Sequence, residues 1–248
     1  MTPLEQLKTM LHERYHTYKN EEYGIELMPG LSDDEIDTIA RQLPGRQVPP
    51  DIRELLQFAS GFLFFGLDAI TFDGVREFDM LNLIPFPVRL AGDGYGNYFV
   101  VDVDRSGKWG PVLYVLNDPQ VIVKHSENVT EFLQDIHAFG KRTGTSTLDV
   151  IHNTTMEDIW ERNNGFITRD DARHSNDPQL EAFAQQLPWN YMIADLRDKS
   201  VRSGFAWGKF GTNMRNAVRD RDSLIWGIER KPPQQRRPPF NNRQRSFR

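Results

Sequence analysis

From residue 62 to residue 124 the apolar side chains come in short runs, 62–72, 80–91, 98–103, 112–116 and 121–124, separated by Gly, Asp, Asn and Pro. Runs of this length between turn residues read as strands. Asp118-Pro119 and Ser106-Gly107 are turn dipeptides. The links are too short for the crossovers that parallel strands need, so the pairing is expected to be mostly antiparallel. Helical spacing flanks this block. Ser32 with Glu35 three residues later is a capping-box pattern, and Ile36, Ile39, Ala40 and Leu43 then share one face up to Pro44. Pro49-Pro50-Asp51 opens a second helix with Asp51 as its expected cap, and Gly61 is its expected stop. Val129, Phe132, Leu133 and Ile136 space a closing helix that ends at Gly140. Helices, a meander of strands and a closing helix define an α+β fold.

Outside that block the signals are simpler. Leu4, Leu7, Leu11, Tyr15 and Tyr18 predict one amphipathic helix within residues 1–20. Residues 141–147 are a polar link and mark the expected end of a first domain, 1–140. The stretch 141–229 reads as a mainly helical extension, with helices over 155–164 and 177–187. Within it 189–199 is ambiguous, and 204–211 is a strand or a loop. Trp160, Trp189, Trp207 and Trp226 lie there and are expected to anchor a small core or to pack on the first domain. Residues 230–248 have almost no apolar content and are expected to be disordered.

Residues 1–140 carry 11 basic and 22 acidic side chains, a net charge of −11. Residues 230–248 carry 7 basic and none acidic. The first part should therefore favour a basic partner, and the tail an acidic one. Cysteine is absent, which excludes disulfides, thiolate catalysis and Cys-based zinc sites and fits a cytoplasmic protein. No apolar run is long enough to span a bilayer, so no membrane partner is expected.

Two patterns suggest chemistry. His12-Glu13-Arg14-Tyr15-His16 matches the zinc-hydrolase pattern H-E-x-x-H, in which two histidines four apart on one helical face hold zinc and the glutamate acts as base. Arg14 places a cation inside it, and no strand can precede it so near residue 1. A zinc metallohydrolase is the remote alternative. Asp102-Val103-Asp104-Arg105-Ser106-Gly107 resembles the opening of a calcium loop, but the twelfth position is Leu113, so the bidentate carboxylate is missing and a strand-end turn fits better. Gly92, Gly94 and Gly96 permit a tight turn between strands; no helix N-terminus or lysine follows to hold a phosphate there. His125, His137, His152 and His174 are isolated. No metal, cofactor or enzymatic role is expected.

Three segments in order carry a family resemblance: the opener Gly30-Leu31-Ser32-Asp33-Asp34-Glu35-Ile36, the segment Pro50-Asp51-Ile52-Arg53-Glu54-Leu55-Leu56 leading to Ser60-Gly61-Phe62, and the loop Gly92-Asp93-Gly94-Tyr95-Gly96-Asn97-Tyr98 with its strand to Asp102. Over about residues 1–140 the chain resembles the SUKH superfamily, which includes fungal cell-wall synthesis regulators and bacterial toxin-immunity proteins. Ser60-Gly61-Phe62 stands where members often have Asn-Gly-Gly, and Pro49-Pro50 where they usually have one proline. The resemblance implies a protein-binding module, with a cognate toxin of a bacterial polymorphic toxin system as partner and a regulatory scaffold as the alternative. Residues 68–104 hold seven acidic side chains against Arg76 and Arg89, and such a face would be steered onto a basic cleft. By residue type and loop position the expected contacts are Asp68, Asp73, Glu77, Asp79, Asp93 and Asp104, with Tyr95 and Trp109 as aromatic anchors. Nucleic acid is expected, if at all, only at the basic tail.

Overall fold

The computed structural model describes residues 1–17, 19–211, 216–221 and 223–231. The expected disordered tail therefore lies outside the described residues, apart from Arg230 and Lys231. Along the chain run α1 (Pro3–Leu11), β1 (Tyr15–His16), β2 (Glu22–Tyr23), β3 (Glu26–Leu27), α2 (Asp33–Ala40) and α3 (Pro50–Phe58). Then come β4 (Gly61–Leu63), β5 (Ile70–Thr71), β6 (Gly74–Val75), β7 (Pro87–Gly92), β8 (Tyr98–Val103), β9 (Trp109–Val115), β10 (Ile122–Ser126) and α4 (Val129–Gly140). The rest comprises α5 (Leu148–Val150), a π-helical turn (Ile151–Thr155), α6 (Met156–Glu161), β11 (Phe166–Thr168), α7 (Arg169–Arg173), α8 (Pro178–Gln186), β12 (Tyr191–Asp195), β13 (Gly204–Phe205), β14 (Val218–Arg219) and β15 (Ile225–Glu229).

The α+β reading of the first 140 residues holds. Ser32 and Glu35 form a reciprocal capping box at the start of α2, the Ser32 N–H donating to Glu35 Oε2 at 2.8 Å. Asn128 caps α4 and Asp177 caps α8 through their side chains. Two helix ends differ from expectation. Pro49, not Asp51, occupies the cap position of α3, because Pro50 already fits the first helical turn with its fixed φ. α1 stops at Leu11, and Tyr15 pairs with Tyr23 in a short ladder instead of extending the helix. Tyr15 is fully buried there, and its hydroxyl meets His137 Nδ1 on α4 at 2.9 Å. Tyr18 lies outside the described residues.

The central sheet has the order β13-β10-β9-β8-β7-β6, with every pairing antiparallel. Because side chains alternate along a strand, it buries both faces. Phe99, Val101, Val112, Tyr114 and Val123 point to a core formed with α1, α2, α3 and α4. Val100, Leu113, Val115 and Ile122 point the other way, into a second core. That second core is closed by Ala194, Trp226 and Ile228 of a further sheet, of order β11-β12-β15-β14, together with Phe205, Trp207 and the segment containing Leu83 and Ile84. Ile193 and Ile225, facing away on the same strands, pack under α7 and α8. The result is four layers: helices, sheet, sheet, helices.

The stretch 141–229 thus contains helices and also a four-stranded sheet. The ambiguous stretch 189–199 contains β12, and 204–211 begins with β13, which pairs with β10. Trp226 and Trp207 are buried in the second core and Trp160 packs against the first, whereas Trp189 is 84% exposed and anchors nothing. Across the seam, Arg219 of β14 makes a two-point ion pair with Asp102 of β8, both nearly enclosed, with Nη1 to Oδ1 at 2.7 Å. Trp226 Nε1 donates to the Leu83 carbonyl at 2.7 Å.

A second buried polar cluster ties α4 to the segment that follows it. His125 Nε2 lies 3.1 Å from Asp135 Oδ2, and Asp135 also accepts from the Thr147 N–H at 2.7 Å and the Ser146 hydroxyl at 2.9 Å. Burial disfavours the Asp135 carboxylate, but His125, Thr147 and Ser146 together outweigh it and hold its pKa below the usual value. A folded-state pKa below the unfolded value of about 3.9 stabilises above that pH and ceases to as pH falls through the folded value. We expect Asp135→Asn to cost about 1–3 kcal/mol at pH 7. The gap from wild type should narrow below about pH 4. Urea unfolding at pH 7 and pH 3 measures both, and an equal gap at the two values would refute the assignment.

Candidate functional site

The hairpin between β7 and β8 is built around Asp93. Its carboxylate accepts from the Tyr95 N–H at 2.8 Å, the Asn97 side chain at 2.7 Å, the Asn97 N–H at 3.2 Å and the Tyr114 hydroxyl at 2.6 Å. Burial alone would raise its pKa; these donors reverse that and keep the carboxylate ionised. Gly94 and Gly96 take φ of +76° and +84°, which only glycine adopts without strain. Asn117 fastens the tip by donating to the Gly96 carbonyl at 2.6 Å. The glycines therefore serve a hairpin, and the fixed tip presents Tyr95, which is 88% exposed.

Beside the tip runs the free edge of the central sheet. The Asp68 N–H donates to the Gly92 carbonyl at 3.0 Å, which places the exposed Asp68 against the hairpin. Among the described residues β6 pairs only with β7, with Gly74 opposite Arg89. Asp73 precedes it, half-buried, and its pKa is raised by that burial and then by the like charge of Glu77. Glu77 is exposed and lies 3.7 Å from Arg89, whose guanidinium sits 4.9 Å above the Tyr98 ring. Asp79, also exposed, rims a groove of about 510 Å³ whose walls include Leu43, Val75, Phe78, Leu81 and Phe86. Leu81 is 50% exposed beside it. Asp68, Asp73, Glu77, Asp79 and the Tyr95 tip thus follow one edge.

Two expected contacts do not join them. Asp104 lies in the β8–β9 turn, at the opposite end of β8 from Tyr95; six strand residues separate them, roughly 20 Å. Its carboxylate accepts from the Ser106 N–H at 2.8 Å, the Ser106 hydroxyl at 2.6 Å and the Lys108 N–H at 3.0 Å, so the calcium-like pattern is a closed turn. Trp109 is not an exposed anchor: it is only 8% exposed and packs in the first core, because β9 turns that side toward the helices. Sequence reading missed the groove. Its walls come from Gln42 and Leu43 after α2, from β6 and from the 76–87 segment, Arg76 included, and no single run of residues announces them.

The zinc pattern lacks its geometry. α1 ends before His12, which caps it, and His16 is in β1, so the two histidines do not share a helical face. Glu13 is held by Lys141 Nζ at 2.6 Å. Among the described residues, no group of His, Cys, Asp and Glu could hold a metal ion, and no helix is long and apolar enough to cross a membrane.

Residues 30–135, from the opener of α2 through most of α4, match the family model of the SMI1 / KNR4 family (SUKH-1). The match supports membership of this block in the SUKH superfamily. The superfamily is not a known enzyme family; membership implies protein–protein interaction and is compatible with toxin-immunity or regulatory roles. No curated protein and no solved structure matches the chain.

Proposed function

We propose that this chain is a toxin-immunity protein, which binds a basic cognate toxin and occludes its active site through the acidic edge at β6. In this reading residues 1–140 are the binding domain and 141–229 a supporting extension. The supporting observation is the strip of Asp68, Asp73, Glu77 and Asp79 along a two-residue edge strand, beside the fixed Tyr95 tip, within the block that matches the family. Acidic groups on a sheet edge attract a basic cleft and quicken its approach. A rigid exposed tyrosine supplies contact area at low entropic cost. Affinity capture from native cells at low salt tests the reading. One stoichiometric partner with a basic catalytic domain is expected; several housekeeping proteins in place of one partner would favour a regulatory scaffold and overturn immunity.

A further inference from the structure

The exposed Trp189 lines a hollow of about 330 Å³ at one end of the four-stranded sheet. Three neighbouring strands bring its residues together. Thr168, at the end of β11, lies opposite Met192 of β12, and Tyr191 of β12 lies opposite Glu229 at the end of β15. The Arg230 N–H then donates to the Asn190 carbonyl at 2.7 Å. Arg169, Trp189, Arg230 and Lys231 flank these strand ends and so meet around the hollow. Three of the four are cations. The one carboxylate lining it is Asp170, which already has Arg169 at 3.7 Å. Asp171 and Glu229, adjacent in the chain, do not line it and accept from neutral donors, Asp171 from the Thr168 hydroxyl and Glu229 from the Asn190 and Asn216 side chains. The Arg230 guanidinium lies 5.9 Å from the centre of the Phe210 ring, a contact that steadies it.

An exposed indole among cations is the combination that holds a single strand of nucleic acid. The ring stacks on a base of any kind, and the cations pair with phosphates and release their counterions. We propose that the hollow binds single-stranded nucleic acid, with a base stacked on Trp189 and the flanking phosphates on Arg230 and Lys231. Past Lys231 the chain continues with five arginines and no acidic residue over 232–248, a further source of phosphate contacts. A duplex keeps its bases stacked on each other, so the indole selects single strands. A bilayer suits the hollow less well. An interfacial anchor buries a broad apolar face, whereas Trp189 is the one exposed large apolar side chain here and has Asp170 and Asn190 beside it. The hollow lies outside residues 30–135, and the site does not rest on the toxin reading.

Fluorescence anisotropy of a labelled oligodeoxythymidine of about twelve nucleotides, a length one binding module can cover, tests this with the full chain at about 50 mM salt, where charge contacts are weakly screened. Trp189→Ala should bind at least about fivefold more weakly than wild type, the loss of one stacked base, with circular dichroism and salt dependence unchanged. Trp189→Phe, which keeps a stacking face, should recover most of that loss. Arg230→Gln with Lys231→Gln should weaken binding and lower the slope of log affinity against log salt by about 1.4, since each phosphate contact on a single strand contributes about 0.7. A full-length variant with Arg236, Arg237, Arg243, Arg245 and Arg248 all replaced by Gln should still lose affinity on Trp189→Ala. No binding by wild type, equal binding by Trp189→Ala, or dependence on the five tail arginines alone would overturn the proposal. So would equal affinity for thymidine monophosphate, which offers no flanking phosphates. Trp189-dependent binding to phosphatidylserine–phosphatidylcholine vesicles without binding to the oligonucleotide would assign the hollow to lipid and overturn it as well.

Discussion

Trp226→Ala should be the most damaging single change outside the first 140 residues. The indole is fully buried between the two sheets, against Phe205 at a ring separation of 4.9 Å, and its N–H is bonded to Leu83. Removing a buried tryptophan side chain costs about 3–5 kcal/mol through lost burial and the cavity left behind. The Leu83 carbonyl also loses its shorter donor and keeps only Arg219 Nη1 at 3.5 Å. Domains are stable by only about 5–15 kcal/mol, so the melting temperature should fall by roughly 10 °C or more. Trp226→Phe, which keeps most of the volume but not the hydrogen bond, should cost less. Trp189→Ala, at an exposed position, should stay within about 0.5 kcal/mol of wild type. Thermal and urea unfolding of the three variants give the comparison. If Trp226→Ala unfolded like Trp189→Ala, the four-stranded sheet would not be covering the second core.

Arg219→Ala should cost nearly as much, by a different route. Asp102 is 6% exposed, and Arg219 meets both its oxygens. Removing the arginine strands a carboxylate away from water, a loss of about 3–5 kcal/mol. Replacing both partners, as Asp102→Leu with Arg219→Met, removes the charge problem and should recover most of the loss. The guanidinium also lies 4.9 Å from the Trp226 ring, so Arg219→Ala and Trp226→Ala should not be additive. A double-mutant cycle of Asp102 and Arg219 measures the coupling. A double replacement as unstable as Arg219→Ala alone would mean that the pair contributes by shape and not by charge.

What could be read from the sequence was local. The Ser32–Glu35 box, the β7 to β10 meander and the hairpin at Gly94 and Gly96 are each specified within a few residues, by a capping pair, an alternation or a positive φ. β12 and β15 were not legible because Met192-Ile193-Ala194 and Ile225-Trp226-Gly227-Ile228 are apolar on both faces. They lie between two cores, and a continuous apolar run does not distinguish a strand from a buried helix. The helical spacing overruns the end of α1 because Tyr15, four residues after Leu11, fits it and no Gly or Pro lies between them. The site divided for a topological reason. Successive hairpin turns lie at opposite ends of a meander, so Tyr95 and Asp104, near in sequence, are separated by the length of β8. Burial of Trp109 depends on which face β9 turns toward the helices, and nothing beside Trp109 in the chain states that.

The acidic edge at β6 is the proposed seat of a basic partner. The direct test immobilises wild type, Glu77→Lys/Asp79→Lys and Glu54→Lys side by side and measures retention of the captured partner at low salt. Glu77 and Asp79 are exposed, so reversal there spares the half-buried Asp73; Glu54 is exposed on α3 and is not among the expected contacts. Wild type and Glu54→Lys should retain the partner equally, and Glu77→Lys/Asp79→Lys should bind it at least tenfold more weakly while remaining folded. Equal retention by all three would show that the partner docks elsewhere and would contradict the account.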